Sequence, residues 1–97
     1  MPNAVENYVG SKWTWLTDYG YLYAAWTLNV EDGREVQVGM GLSIGGVPRG
    51  EKITVRGHKT FRTVGIGAIH VRARDGLGEC MVRLDQGDVG LIPIYKS

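Results

Sequence analysis

Apolar and polar residues alternate along most of the chain, the pattern of β-strands with one buried face. The first clear run covers residues 22–30 and is followed by a second over residues 36–44. The positions expected to be buried are Leu22, Ala24, Trp26, Leu28 and Val30 in the first run, and Val36, Val38, Met40, Leu42 and Ile44 in the second. These two runs predict two strands with a shared core.

The dipeptide Asp32-Gly33 separates these runs, and Asp-Gly between alternating segments predicts a β-hairpin. A two-residue turn would place Val30 opposite Glu35 and would mix apolar with polar residues on one face. A three-residue loop pairs Val30 with Val36 instead. We therefore expect an odd-length loop, or a bulge with the same effect.

Three more strands are predicted between residues 52 and 84. Their inward residues are Ile53, Val55 and Phe61 in the third strand, Ile69, Val71 and Ala73 in the fourth, and Cys80, Val82 and Leu84 in the fifth. The stretch Gly65-Ile66-Gly67 is expected to be the loop that joins the third strand to the fourth. A last run, residues 91–96, contains Pro93 and predicts an edge strand, because proline cannot donate to a ladder.

The fold class that follows is all-β. We expect a small antiparallel β-sandwich or barrel of six to seven short strands with little or no helix, forming one domain over residues 1–97. Fifteen glycines spread along the chain fit many turns and bulges. The aromatic-rich residues 1–20 are expected to pack on the sheet, with a strand near Lys12 to Leu16.

The composition of the chain excludes several classes of protein and of site. The formal net charge of +1 excludes strong electrostatic steering by the whole molecule, and the single cysteine excludes a disulfide framework or a cysteine-rich zinc site. The chain shows no signal peptide and no apolar stretch of membrane-spanning length, so a cytoplasmic location without membrane association is expected.

Charge is nevertheless segregated along the chain. Residues 49–74 hold seven basic residues and one acidic residue, a local net charge of +6. If the third and fourth strands pair, their polar faces merge into one basic surface carrying Arg56, His58, Arg62, His70, Arg72 and Arg74. This surface is either a solvated face balanced by the acidic flanks, or a binding face for an acidic protein, a phosphate or, weakly, nucleic acid.

Aromatic residues are also clustered, with seven of the nine lying between Tyr8 and Trp26. The candidates for a binding surface are Trp13, Trp15, Tyr21 and Tyr23. They form core and cross-strand packing, an exposed association surface, or a platform for carbohydrate. The glycines at positions 39 and 41 are expected to face outward, with Tyr21 and Tyr23, the N-terminal segment or a second subunit packing closely on the bare backbone there.

Catalytic and metal-binding arrangements are not predicted. Cys80 falls in the inward phase, whereas His58 and His70 fall in the outward phase, so no thiol–imidazole pair forms, and a third metal ligand with suitable spacing is missing. The acidic residues Asp75, Glu79, Asp85 and Asp88 lie near glycine turns, where aspartate caps the backbone. We therefore expect no catalytic residue and no cofactor.

The function predicted from these features is non-enzymatic. We expect a binding or self-assembly module with an aromatic N-terminal interface and a basic face, whose partner is a second copy of the chain or an acidic protein. The alternatives are a carbohydrate-binding module that uses exposed tyrosine and tryptophan, and weak nucleic-acid binding through the basic strands.

Overall fold

A computed structural model describes residues 4–90, and every regular element in that range is a β-strand. The strands are β1 (Ala4–Val9), β2 (Thr14–Val30), β3 (Glu35–Gly39), β4 (Ser43–Ile44), β5 (Val47–Pro48), β6 (Lys52–Arg56), β7 (His58–Ala73) and β8 (Cys80–Val89). The all-β prediction is confirmed. Over these residues the chain forms no helix that could cross a lipid bilayer.

Six strands form one antiparallel sheet in the order β1-β8-β2-β7-β3-β6, and β4 and β5 form a separate two-stranded hairpin. The central strands β2 and β7 are 17 and 16 residues long, so they are not short as predicted. Two register shifts interrupt their pairing, one between Trp15 and Thr17 and one between Tyr21 and Ala24. Bulges of this kind bend and twist a strand, which lets one sheet wrap around one core.

The predicted hairpin between residues 22–30 and 36–44 is wrong. The C-terminal half of β2 pairs with β7 on one edge and β8 on the other, so neither edge is left for β3. Instead β3 lies between β6 and β7, and Val36 is opposite Val55 and Ala73. The Asp32-Gly33 turn therefore leads the chain to another part of the sheet.

The predicted loop at residues 65–67 is also wrong. Gly65, Ile66 and Gly67 lie inside β7 and pair with Tyr21, Gly20 and Tyr19 of β2. The strand is interrupted earlier, at Gly57, whose φ of 70° marks the boundary between β6 and β7. The third and fourth predicted strands are thus not a hairpin.

The inward residues form one hydrophobic core, as the alternation predicts for most positions. The members are Val9, Leu16, Tyr19, Ala24, Trp26, Leu28, Val30, Val36, Val38, Met40, Val55, Phe61, Ile69, Val71, Ala73, Cys80, Val82 and Leu84. Inside this core the Trp26 indole N–H donates a hydrogen bond to the Thr63 hydroxyl at 2.8 Å. Leu22, Leu42 and Ile44, which were expected to be buried, are instead exposed.

Of the two glycines predicted to face outward, Gly39 packs against Pro48 and Trp13, whereas a Cβ on Gly41 would meet the backbone of Gly50. A Cβ on Gly39 would lie 2.7 Å from Pro48 Cβ and 3.3 Å from the Trp13 ring, so the β4–β5 hairpin and the N-terminal end of β2 meet at this bare backbone. At Gly41 the backbone N–H donates to the Tyr19 hydroxyl at 2.9 Å. The Gly39–Pro48 contact anchors the hairpin to the outer face of the sheet, and the Tyr19 hydroxyl ties Gly41 to the core.

An ion pair fixes the β7–β8 turn. Arg34 Nε lies 2.8 Å from Asp75 Oδ2, and the same guanidinium donates to the backbone carbonyls of Gly78 and Glu79. The Asp75 carboxylate also accepts from the backbone N–H of Leu77, which is the local capping role predicted for it. These hydrogen bonds, above all those from Arg34, hold the pKa of Asp75 well below its ordinary value. The predicted strand at residues 91–96, with Pro93, lies outside the described residues.

Candidate interaction surface

The outer face of β7 carries the polar residues that the alternation predicts. Side chains point alternately to the two sides of a strand, so His58, Arg62, His70 and Arg72 share the outer face while Phe61 and its phase-mates point to the core. Because residues 58–73 form one strand, these basic residues do not come together as they would in a hairpin. Arg62 and His70 are eight residues apart, about 26 Å along an extended strand.

Two of the predicted basic residues are engaged within the sheet. Arg72 Nε donates to Gln37 Oε1 at 2.9 Å, and its guanidinium lies 4.5 Å from the centre of the Trp13 ring. Arg56 Nε donates to Glu35 Oε1 at 2.7 Å. Arg72 is thereby held, half-buried, against the outer face of β3, whereas the Arg56 side chain remains 79% exposed beside Glu35.

Three further basic candidates, His58, Arg62 and Arg74, are exposed and separated from one another. His58 and Arg62 lie at the N-terminal part of β7, and Arg74 follows its C-terminal end. Across the part of the chain that the structure describes, Arg62 and Arg74 form no ion pair; Arg62 instead lies 5.9 Å from the centre of the Tyr23 ring. One continuous basic surface is therefore not formed.

His70 is buried, although it was expected to face solvent. It lies between Trp15 on β2 and Gly39 on β3, and only 4% of its surface is accessible. Its Nδ1 has no hydrogen-bond partner among residues 4–90. Burial lowers the pKa of His70 from its ordinary value of 6.5, and the nearby Asp18 carboxylate opposes that shift more weakly. His70 therefore acts as a packed neutral side chain within the sheet.

Acid is expected to destabilise the fold through His70. The unfolded chain takes up a proton near pH 6.5, whereas the folded protein resists protonation until a lower pH, so the free energy of unfolding falls as pH drops below about 6.5. Urea unfolding at pH 7.5, 6.5 and 5.5 measures this. His70→Leu is expected to remove the decrease and His58→Gln, at an exposed position, to retain it. Equal slopes in all three proteins would contradict the assignment.

The four aromatic candidates do not form one platform. Trp15 is more than half exposed, and its indole Nε1 donates to Asp18 Oδ1 at 2.9 Å. Trp13 is half-buried beneath Arg72, and Tyr23 is half-buried near Arg62. Tyr21 lines a separate cleft of about 250 Å³ together with Tyr19 and Trp26. Their rings thus face different surroundings.

The sequence analysis missed a surface that lies on the outer face between Arg62 and His70 of β7. It consists of four apolar side chains, each between 53% and 75% exposed: Leu22, Leu42, Val64 and Ile66, here called the outer apolar patch. Ile66 faces Gly20 across the β2–β7 ladder, and Val64 faces the bulge at Leu22 and Tyr23. The patch therefore sits on the two longest strands of the sheet.

Leu42 joins the patch from the chain that follows β3. The Ala68 backbone N–H donates to the Gly41 carbonyl at 2.9 Å and so brings Leu42 beside β7. Leu42, Ile66, Ala68 and Asp18 line a depression of about 460 Å³. The feature of the sequence that marks this surface is Gly20, which lies opposite Ile66. This pairing can be recognised only once the register of β2 and β7 is known.

The remaining candidates keep structural roles. Cys80 is fully buried on β8, and burial raises the pKa of its thiol. Both histidines lie on β7, and β2 separates β7 from β8, the strand of Cys80. No group of three or more metal-ligating side chains forms within residues 4–90. The residues that come together on the outer face are thus the four apolar side chains of the outer apolar patch.

Comparison of the chain with protein-family models, with curated proteins and with solved structures finds no match. The functional argument therefore depends on the geometry of this surface.

Proposed function

We propose that this chain is a non-enzymatic binding module that associates with a protein surface through the outer apolar patch. The observation that carries the proposal is the clustering of four large apolar side chains, all more than half exposed, three on the central strands and Leu42 beside β7. Contiguous exposed apolar surface is uncommon on monomeric proteins and marks interaction sites.

The residues around the patch fit a protein interface. Trp15 lies on the same outer face at one end, and Arg62 lies beside Val64 at the other. Tryptophan and arginine are enriched among the side chains that dominate binding energy, and a charged rim around an apolar centre is the usual anatomy of an interface. Within the patch β2 and β7 pair with each other, and the Gly41 carbonyl accepts from the Ala68 backbone N–H beside Leu42.

A protein partner is favoured over carbohydrate and nucleic acid. A sugar platform needs accessible ring faces, and Arg72 covers a face of Trp13. A nucleic-acid site needs several cations together, and the exposed arginines at positions 62 and 74 lie far apart along β7. Among the four aromatic candidates, Trp15 is more than half exposed, and its hydrogen bond to Asp18 places it next to the outer apolar patch.

Site-specific photocrosslinking tests this proposal. A benzophenone amino acid at Val64 is expected to give one discrete protein adduct in the native host. The same probe at Leu77, which is also more than half exposed but lies in the β7–β8 turn, is expected to give none. Mass spectrometry of the adduct identifies the bound protein. Adding Ile66→Asp should abolish the adduct while thermal unfolding shows that the fold is retained.

Three outcomes contradict the proposal. They are the absence of an adduct from Val64, the same adducts from Val64 and Leu77, and an adduct that persists in the Ile66→Asp protein.

A further inference from the structure

Opposite charges flank the outer apolar patch at equal distances from its centre. Gly65 marks the middle of the patch along β7, with Val64 on one side and Ile66 on the other. Arg62 lies three residues before Gly65. Asp18 is the cross-strand neighbour of Ala68, which lies three residues after Gly65. Each charge is thus about 10 Å from the centre along the strand direction.

This arrangement is self-complementary under a two-fold rotation. When two copies stack outer face to outer face with β7 antiparallel to β7, the axis crosses the strands at the level of Gly65. Val64 then meets the partner's Ile66, and Arg62 meets the partner's Asp18. The same contacts repeat on the other side of the axis, as an isologous interface requires.

Local details of the patch suit such a contact. Gly20, opposite Ile66, carries no side chain, so the flank of Ile66 is open to an apolar residue from the second copy. Trp15 Nε1 holds the Asp18 carboxylate in place, and Tyr23 lies against the Arg62 guanidinium. Both charged groups are therefore positioned before association, which reduces the entropy lost on binding.

We propose that the partner of the outer apolar patch is a second copy of this chain, in a two-fold symmetric dimer with reciprocal Arg62–Asp18 ion pairs. This inference rests on the proposed function, since it names the protein that the patch binds. The two-fold axis closes the assembly at two copies.

Charge reversal tests the symmetry directly. Arg62→Asp places like charges at both reciprocal contacts, and so does Asp18→Arg. Each variant alone is expected to raise the dimer dissociation constant at least about tenfold in sedimentation velocity. An equimolar mixture of the two variants is expected to recover a heterodimer, because Arg62 of one variant meets the native Asp18 of the other and the two introduced residues form the second pair. Arg74→Asp, an exposed arginine away from the patch, should leave the dimer unchanged.

The outcomes separate this inference from the proposed function. A wild-type chain that stays monomeric at several hundred micromolar overturns the dimer, as does a dimer indifferent to both charge reversals, or variants that fail to recover on mixing while remaining folded. If the chain is monomeric but the Val64 probe still crosslinks to a different protein, the binding function stands without the dimer. A monomer with no adduct at Val64 overturns both.

Discussion

Leu28→Ala is expected to lower the free energy of unfolding by about 2–5 kcal/mol, whereas Leu22→Ala should change it by less than about 0.5 kcal/mol. Both leucines lie on β2, and their even numbering puts them on the same face of a regular strand. Leu28 is fully buried between β7 and β8, but Leu22 is mostly exposed. The difference arises from the register shift between Tyr21 and Ala24.

Denaturant unfolding of the two variants measures this difference. The two positions carry the same residue type, lie on the same strand and are both even-numbered, so they differ only in local backbone geometry and burial. Comparable losses of stability in both proteins would contradict the bulge and with it the exposure of the outer apolar patch. A small loss in Leu28→Ala would contradict the central position of β2 in the sheet.

Gly39→Ala is expected to lower the free energy of unfolding by about 1–3 kcal/mol, or roughly 5–20 °C in the midpoint of thermal unfolding. The added methyl group would lie 2.7 Å from Pro48 Cβ, in a ring that cannot rotate aside. The β4–β5 hairpin must lift from the outer face to admit it.

Gly87→Ala provides the matched control. Gly87 also lies in a strand and has no positive φ, and the nearest atom to an added Cβ is the Ala25 carbonyl oxygen at 3.5 Å. Its midpoint should stay within a few degrees of the wild type, or rise slightly because alanine restricts the unfolded chain. If Gly39→Ala is tolerated as well as Gly87→Ala, the hairpin does not pack on Gly39 as described.

Alternation was sufficient to predict the strands and most of the core. The buried phase assigned to Trp26, Val38, Ile69 and Val82 is the phase observed. The reason is that period-two alternation is a local property, since each strand buries one face whatever strand lies beside it.

Strand pairing could not be predicted in the same way. The Asp32-Gly33 turn fits a hairpin, but β2 already has β7 and β8 as neighbours, and both come from much later in the chain. Which edges are occupied depends on the whole sheet, so a turn signal between two strands does not determine whether they pair. The same limit applies to residues 65–67, where Gly67 permits the close approach of Tyr19 and the strand continues without a turn.

The candidate surface was hidden by these same errors. A regular strand from residue 22 would have buried Leu22, and a continued second strand would have buried Leu42. Assigning a loop to Gly65-Ile66-Gly67 removed Ile66 from the sheet altogether. Local rules and observed burial often disagree at functional sites, and the outer apolar patch is a place where they do. His70, by contrast, was predicted to be exposed because the β4–β5 hairpin over its face could not be foreseen.

The pairing of β2 has a consequence for how the protein is made. β2 ends at residue 30, and its two neighbours begin at residues 58 and 80. At ribosomal rates of about 5–20 residues per second, a nascent chain displays this long aromatic strand for some seconds before either neighbour has been synthesised. Contacts so distant in sequence also form slowly, on a scale of milliseconds to seconds. Chaperone capture during translation should therefore concentrate on residues 14–30, and slowing synthesis after residue 30 should increase aggregation rather than relieve it.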